Sequence, residues 1–172
     1  HRSRMTGPRE RYINEKFYAD RVSPAQMDRL LANGWRHSGY EFYRYNYAIH
    51  QREIRSVIPL RVRLADFGLS KSQRRTLRRN SDLRTVVRPT KLTDESEAMF
   101  RRHANRFREN RPLSLFDYFF VGDPAAEPCE CRELRVHDRE RLIAISYIDI
   151  GERSISGVYG MFEPRESGRR LG

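Results

Sequence analysis

The segment from Ser70 to Asp82 constrains the fold more than any other part of the sequence. It reads SKSQRRTLRRNSD, and a serine followed three residues later by a glutamine is the pattern of a capped helix start. Leu77 is predicted to pack inward. Cations three and four residues apart on a helix repel by roughly 0.2–0.5 kcal/mol per pair, a cost best tolerated beside an external polyanion. Five cations would share this stripe: Lys71, Arg74, Arg75, Arg78 and Arg79.

The positive charge of the chain is concentrated around this helix. The 172 residues carry a net charge of +11, and residues 61–90 alone hold nine cations and two anions, a net +7. An isolated charge run is more often a solvated face partnered by acidic residues, but this local concentration favours an RNA-binding surface. Aromatic side chains that could stack on unpaired bases come earlier, although taken alone they are more often core: Tyr40, Phe42, Tyr43, Tyr45 and Tyr47.

The first part of the chain predicts a loosely anchored arm, a helix and aromatic strands. Residues 1–22 are polar and basic, which is typical of an arm. Ser23 and Gln26 form a capping box for a helix that ends at Asn33-Gly34. Residues 35–47, dense in tyrosine and phenylalanine, predict strand with a turn at Gly39.

The segment 57–64 predicts another strand. Its aliphatic residues alternate with Arg61 and Arg63, so a strand would point both arginines to one face. Pro59 suits the edge of a sheet or the start of pairing.

Beyond the basic helix, the pattern alternates between helix and strand. A strand at 85–87 precedes two helices, one capped at Thr93 and a shorter aromatic one at 114–120. The two strands of an antiparallel core hairpin follow at 142–150 and 155–162. The fold class is therefore mixed α/β, of the α+β kind.

Composition argues against a disulfide scaffold and against a membrane span. Cys129 and Cys131 are too close in sequence for an unstrained bridge, which favours a reducing cytoplasm. No apolar run approaches the roughly 20 residues that a membrane span requires, and the N-terminus carries no apolar signal region. The sequence therefore predicts a cytoplasmic protein without membrane contact.

Several motifs together resemble one known family. The runs GWRHSGYEFYR, PLRV, SKSQRR and RNSDL occur in the order and approximate spacing of the arginyl- and leucyl-tRNA-protein transferases, the aminoacyltransferases of the N-end rule pathway. The similarity spans roughly residue 27 to the end. A later block resembles the family as well: Asp149, Ser156-Gly157-Val158-Tyr159, Pro164 and Arg170-Leu171-Gly172.

The resemblance implies a GNAT-like fold, a mixed, mostly antiparallel sheet flanked by helices. The hairpin of 142–150 and 155–162 would be its centre, and residues 165–172 would offer a helix start to donor phosphate. We expect an arm, short helix and aromatic strand region over 1–56, and a transferase domain over 57–172. The family continues beyond the point where this chain stops, so the chain is expected to be incomplete.

The resemblance also implies an enzyme, which transfers an amino acid from charged tRNA to the N-terminal α-amine of a protein and so marks it for degradation. Arginine is favoured as the donor amino acid and leucine is possible, with acceptors that begin with Asp or Glu. The basic stripe would bind the tRNA. Asp149 and Tyr159 are the catalytic candidates, near the acceptor amine or the leaving hydroxyl. The acceptor-binding candidates are Arg36, Ser38, Arg61 and Arg63.

No metal or other cofactor is expected. Many family members carry cysteines for a metal or iron–sulfur site between the FYR and PLR segments, but residues 45–58 contain none. His50 alone could not replace them, and Cys129 and Cys131 have no partner spacing for zinc. The expected partners are aminoacyl-tRNA and protein N-termini with an acidic first residue, and the protein itself is expected to be a monomer.

Two other functions fit the same residues. One is a GNAT acyltransferase with an acyl-CoA donor, and the other is a non-catalytic RNA-binding module that kept the tRNA-binding surface without the chemistry. Calorimetry with coenzyme A and a transfer assay with charged tRNA separate these functions from the first.

Overall fold

Antiparallel pairing organises the strands. The computed structural model of the chain describes residues 11–107 and 113–171. Within these ranges, a first sheet has the order β1-β3-β2, a separate hairpin joins β4 and β5, and a four-stranded sheet has the order β6-β7-β8-β9. The strands are β1 (Asn14–Tyr18), β2 (Arg36–Ser38), β3 (Glu41–Tyr45), β4 (Tyr47–His50), β5 (Glu53–Ser56), β6 (Arg84–Pro89), β7 (Cys131–Asp138), β8 (Arg141–Ile150) and β9 (Ile155–Phe162).

All three predicted helix starts in the first 100 residues are confirmed. Helix α1 spans Pro24–Ala32, α2 spans Lys71–Arg79 and α3 spans Asp94–Ala104. Each begins with a capping box. The serine or threonine side chain accepts a hydrogen bond from the backbone N–H of the third helical residue, and the side chain of that residue accepts one from the backbone N–H of the cap. Within the described ranges, no helix is long and apolar enough to cross a membrane.

The mixed α+β class is confirmed, as is the antiparallel hairpin, now β8 and β9. The hairpin is not the centre of its sheet, however, because β9 is an edge strand. A helix does start at the segment expected to offer one, but it is short: Pro164–Arg169 forms a 3-10 helix. Arg170 ends this helix in the left-handed region, at φ 58°.

The strand predicted at 57–64 is absent. In the described structure, the backbone that follows β5 pairs with no strand. Val57 N–H donates to the carbonyl of Asn46, at 2.8 Å. A 3-10 turn at Leu64–Asp66 follows. The aliphatic residues of this segment are therefore exposed, with Leu60 at 88%.

Two further predictions were wrong in part. The arm predicted over 1–22 contains β1, which pairs along its length with β3, whereas residues 1–10 lie outside the described part of the chain. The aromatic helix at 114–120 is reduced to a 3-10 turn at Leu115–Asp117. The carbonyl of Tyr118 accepts from Gly39 N–H at 3.0 Å, which ties the chain to the first sheet.

Two hydrophobic cores meet near the start of β7. In the larger core, α3 covers one face of the four-stranded sheet and brings Phe100 onto Tyr159 and its neighbours. In the smaller core, α1 packs on the first sheet around Met27, Phe42 and Cys129. Cys129 lies two residues before β7, so the segment immediately before this strand connects the two cores.

Gly151, in the turn between β8 and β9, lies against α1. A methyl group there would overlap Asp28 Oδ1, whose carboxylate is held by the backbone N–H of Arg153 at 2.9 Å. We expect Gly151→Ala to lower the free energy of unfolding by about 1–3 kcal/mol, measured by urea denaturation. Gly157→Ala is the matched control, because a methyl group there meets nothing within 4 Å. An equal loss in both variants would contradict the contact with α1.

Candidate functional site

The five predicted tRNA-binding cations lie on α2, and all of them are exposed. Among the described residues, no carboxylate lies within ion-pair distance of any of them. Arg74 donates a hydrogen bond to the carbonyl of Leu69, and Arg79 Nη1 donates to the carbonyl of Gly168 at 2.8 Å. Because their charges are not neutralised by acidic side chains of the described chain, they are available to an external anion.

Helix α2 stands on the surface instead of packing into a core. Leu77 was expected to point inward, but it is 58% exposed, and α2 has no buried residue. The helix is held at its C-terminal end, where Asn80 Nδ2 donates to the carbonyl of Arg169 at 2.9 Å and Asp82 pairs with the Arg169 guanidinium at 3.0 Å. Among the described residues, Arg79 is the one cation of the stripe that hydrogen-bonds to this later segment, and the other four are exposed.

Arg36 and Ser38 lie on β2, beside aromatic side chains of β3. The Arg36 guanidinium lies 5.4 Å from the ring centre of Tyr43 and 5.2 Å from that of Tyr45, within cation–π range. Ser38 Oγ donates to the carbonyl of Asp117 at 2.8 Å. Phe42, one of the proposed base-stacking residues, is fully buried and belongs to the smaller core, so it offers no face to a base.

Arg61 and Arg63 lie outside the sheets, on the exposed segment that was predicted as a strand. The Arg63 side chain is 83% exposed and pairs with Asp66 at 3.4 Å. The semi-buried setting that recognition of an acidic side chain requires is therefore not found at these two arginines. Arg36 is exposed as well, but the rings of Tyr43 and Tyr45 give its guanidinium partly apolar surroundings.

Tyr159 lies among aromatic rings on β9. Its ring centre is 4.8 Å from that of Tyr118, 5.4 Å from Phe100 and 6.2 Å from His103. Its hydroxyl is buried and has no hydrogen-bond partner among the described residues. Burial, followed by the neighbouring Tyr118, raises the pKa of Tyr159, so the hydroxyl is protonated at neutral pH.

Asp149, the other catalytic candidate, is buried at the end of β8 beside a histidine that the sequence did not single out. His37 Nε2 lies 3.0 Å from Asp149 Oδ2, and the two side chains are 7% and 4% exposed. Burial by itself would lower the pKa of His37, but the hydrogen bond and charge of Asp149 outweigh it, and the pKa of His37 is raised. A carboxylate and an imidazole therefore form a buried pair that joins β2 to β8.

Cys129 completes this buried cluster. Its Sγ lies 3.8 Å from His37 Nε2, and burial, followed by the charge of Asp149, raises the pKa of the Cys129 thiol. A protonated thiol is a poor nucleophile, so this is not a cysteine–histidine catalytic pair. His37 belongs to the GWRHSG run. The sequence offers one indication of its role, namely that this polar residue stands two positions before the turn at Gly39.

Of the described residues, three could hold a metal ion together: His37, Cys129 and Asp149, whose ligand atoms lie within 4.8 Å of one another. The cysteine-based site that family members carry between the FYR and PLR segments does not fit this chain. Residues 45–58 contain no cysteine, and His50 is exposed.

Comparison with known proteins identifies the class of this chain. The model of the N terminus of arginine-tRNA-protein transferases matches residues 4–75, and the model of their C terminus matches residues 93–172. The chain therefore belongs to the arginyl-/leucyl-tRNA-protein transferase family, as its motifs indicated.

Its similar relatives carry a more specific name. An aspartate/glutamate leucyltransferase of Xanthomonas euvesicatoria pv. vesicatoria is 34% identical over 125 residues, which cover 69% of this chain and 50% of the relative. The aspartate/glutamate leucyltransferase of Shewanella amazonensis is 31% identical over 156 residues, which cover 88% of this chain and 62% of the relative. The chain thus spans 50% to 62% of the length of these relatives.

Proposed function

We propose that this protein transfers an amino acid from charged tRNA to the N-terminal α-amine of an acceptor protein. One observation carries the proposal. This chain belongs to the transferase family, and its helix α2 presents five exposed cations without acidic partners among the described residues. Such a stripe suits the phosphates of a tRNA acceptor stem, giving affinity without sequence preference.

The reaction is the aminolysis of an ester. The acceptor nitrogen attacks the carbonyl that joins the amino acid to the terminal ribose; a C–N bond forms, the C–O bond breaks, and the amine proton passes to the ribose oxygen. No enzyme nucleophile is needed, because an α-amine with a pKa of about 7.7–8.0 is already partly neutral at pH 7. Positioning and stabilisation of the oxyanion would supply most of the acceleration.

Of the two catalytic candidates, we propose Tyr159 as the catalytic residue and Asp149 as a positioning residue. The Tyr159 hydroxyl is protonated and without a partner among the described residues, so it is suited to donate to the oxyanion or the leaving ribose oxygen. Asp149 is buried against His37 and would act through it, as a positioning residue. Residues 57–172 would form a GNAT-like transferase domain, with 1–56 as the N-terminal region.

Arg36 is the proposed anchor for an acidic first residue of the acceptor. Two tyrosine rings hold its guanidinium, and a planar fork in such a setting pairs with a carboxylate through two hydrogen bonds. Ser38 lies two positions away on the same strand face. Arg61 and Arg63 would add contacts with the acceptor from the exposed segment. The names of the relatives favour acceptors that begin with aspartate or glutamate.

The donor amino acid separates two versions of this proposal. The sequence favoured arginine, and the family models carry that name, whereas the relatives are named leucyltransferases. We propose leucine on the strength of the relatives, for a monomeric, cytoplasmic enzyme.

A transfer assay tests the function directly. Purified protein is incubated with peptides that begin with Asp, Glu or Ala and with either labelled Leu-tRNA or labelled Arg-tRNA. We expect label from Leu-tRNA on the Asp and Glu peptides and none on the Ala peptide. Label only from Arg-tRNA would reverse the donor assignment. Binding of tRNA without transfer would favour an RNA-binding module, and binding of coenzyme A in place of tRNA would favour an acyl-CoA enzyme.

A further inference from the structure

We propose that His37, Cys129 and Asp149 form a binding site for one divalent transition-metal ion, with Zn²⁺ as the best match. One nitrogen, one sulfur and one oxygen ligand converge in a buried place, with all ligand atoms within 4.8 Å of one another. The site is independent of the basic helix, and its test does not depend on aminoacyl transfer.

The orientation of His37 is that of a metal ligand. Its Nδ1 lies 3.0 Å from the carbonyl of Gly39, which can only accept, so Nδ1 carries a hydrogen in this contact. Nε2 faces Asp149 Oδ2 at 3.0 Å and Cys129 Sγ at 3.8 Å. Metal-bound histidines almost always donate their other ring N–H to a carbonyl, carboxylate or water, which fixes the ligating nitrogen.

Asp149 supplies a second, independent observation. Its side chain is 4% exposed, and Oδ1 is buried and accepts no hydrogen bond from an N–H or O–H group of the described residues. In the described part of the chain, its one cationic neighbour within ion-pair distance is His37. A buried carboxylate oxygen without a partner is costly, and a bound cation would satisfy it.

Rigid elements hold the three ligands. His37 lies on β2 opposite Phe42, Asp149 lies on β8 opposite Cys131, and Cys129 is packed in the smaller core. The chain on both sides of Cys129 is fixed as well: Val22 N–H donates to the carbonyl of Pro128, and Ile150 N–H donates to that of Glu130, both at 2.8 Å. A metal ion there would join the segments that match the N-terminal and C-terminal family models.

The ligand chemistry selects the metal. A thiolate and an imidazole favour Zn²⁺ or another late transition metal over Mg²⁺ and Ca²⁺, which prefer oxygen ligands. On binding, the Cys129 thiol and the His37 Nε2–H that faces Asp149 each release a proton to solvent, and the sulfur and the nitrogen coordinate the ion without any change of oxidation state. Three protein ligands leave a fourth position open.

Cobalt substitution tests the site. The full chain is stripped with a chelator under reducing conditions and titrated with Co²⁺, whose complexes absorb light; Zn²⁺ then competes. We expect saturation at one ion per chain, with a thiolate-to-cobalt charge-transfer band that Zn²⁺ abolishes. Cys129→Ser should remove the band, and His37→Ala and Asp149→Asn should weaken binding at least about 100-fold, the upper end of losses for residues that only support a ligand.

Cys131→Ser is the matched control, because Cys131 is also buried and lies opposite Asp149 but is outside the ligand set. It should keep the band and bind Co²⁺ within about twofold of the unaltered protein. Circular dichroism checks that each variant is folded. The unaltered protein failing to saturate at one ion per chain would overturn the proposal, as would a charge-transfer band that survives Cys129→Ser or is lost in Cys131→Ser.

Discussion

Replacing Arg74, Arg75, Arg78 and Arg79 with glutamate should abolish tRNA binding and leave the fold intact. All four side chains are exposed on α2, which buries no residue, so their replacement creates no cavity. The effect on binding is large because four attractive contacts with phosphate become four repulsive ones. Filter binding or fluorescence anisotropy with uncharged tRNA measures the loss.

Salt dependence measures how many of these cations contact phosphate. Each phosphate contact contributes about one unit to the slope of the logarithm of affinity against the logarithm of salt concentration. Replacing the four arginines with glutamine should therefore make this slope shallower by about three to four. A smaller change would show that part of the stripe points away from the RNA.

The control must change the net charge equally. Four exposed arginines elsewhere have no ion-pair partner among the described residues, and their replacement with glutamate should weaken tRNA binding far less: Arg29, Arg52, Arg139 and Arg153. Arg79 also donates to the carbonyl of Gly168, so a triple variant that retains Arg79 separates anchoring of the helix from binding. Equal losses in the stripe variant and the control variant would contradict a local binding surface.

The sequence predicted the elements that local chemistry determines. The capping boxes at Ser23, Ser70 and Thr93 start helices as expected, because the cap and its partner lie three residues apart and need no help from distant parts of the chain. The hairpin of β8 and β9 was predicted for the same reason, since two apolar runs flank a short turn.

The predictions that were wrong depended on a distant partner. The alternation of aliphatic residues and arginines over 57–64 indicated a strand. A strand also needs an adjacent backbone to pair with, and no described segment pairs with these residues. Leu77 was expected to be buried because leucine usually is, yet no part of the described chain packs over it and it is 58% exposed. The His37–Asp149 contact was not predicted, because residues 112 positions apart are brought together by packing.

A buried carboxylate that no sequence pattern indicated should have the largest effect on stability. Glu133, on β7, is fully buried and pairs with Arg88 Nε at 2.5 Å and with Arg135 Nη1 at 3.5 Å. Its second oxygen accepts from Lys91 N–H at 3.4 Å. Arg135 is only 8% exposed, so removing the Glu133 carboxylate leaves a nearly buried guanidinium with Glu95 as its remaining acidic partner in the described chain.

We expect Glu133→Ala to lower the free energy of unfolding by about 3 kcal/mol, the low end for breaking a buried pair, because Arg88 is partly exposed and Arg135 keeps Glu95. Glu133→Gln should cost less, since the amide oxygen still accepts hydrogen bonds. The control is Glu130→Ala, which breaks the exposed pair with Arg132 and should cost about 0–1 kcal/mol. Urea denaturation compares the three, and equal losses for Glu133→Ala and Glu130→Ala would show that burial does not strengthen the Glu133 network.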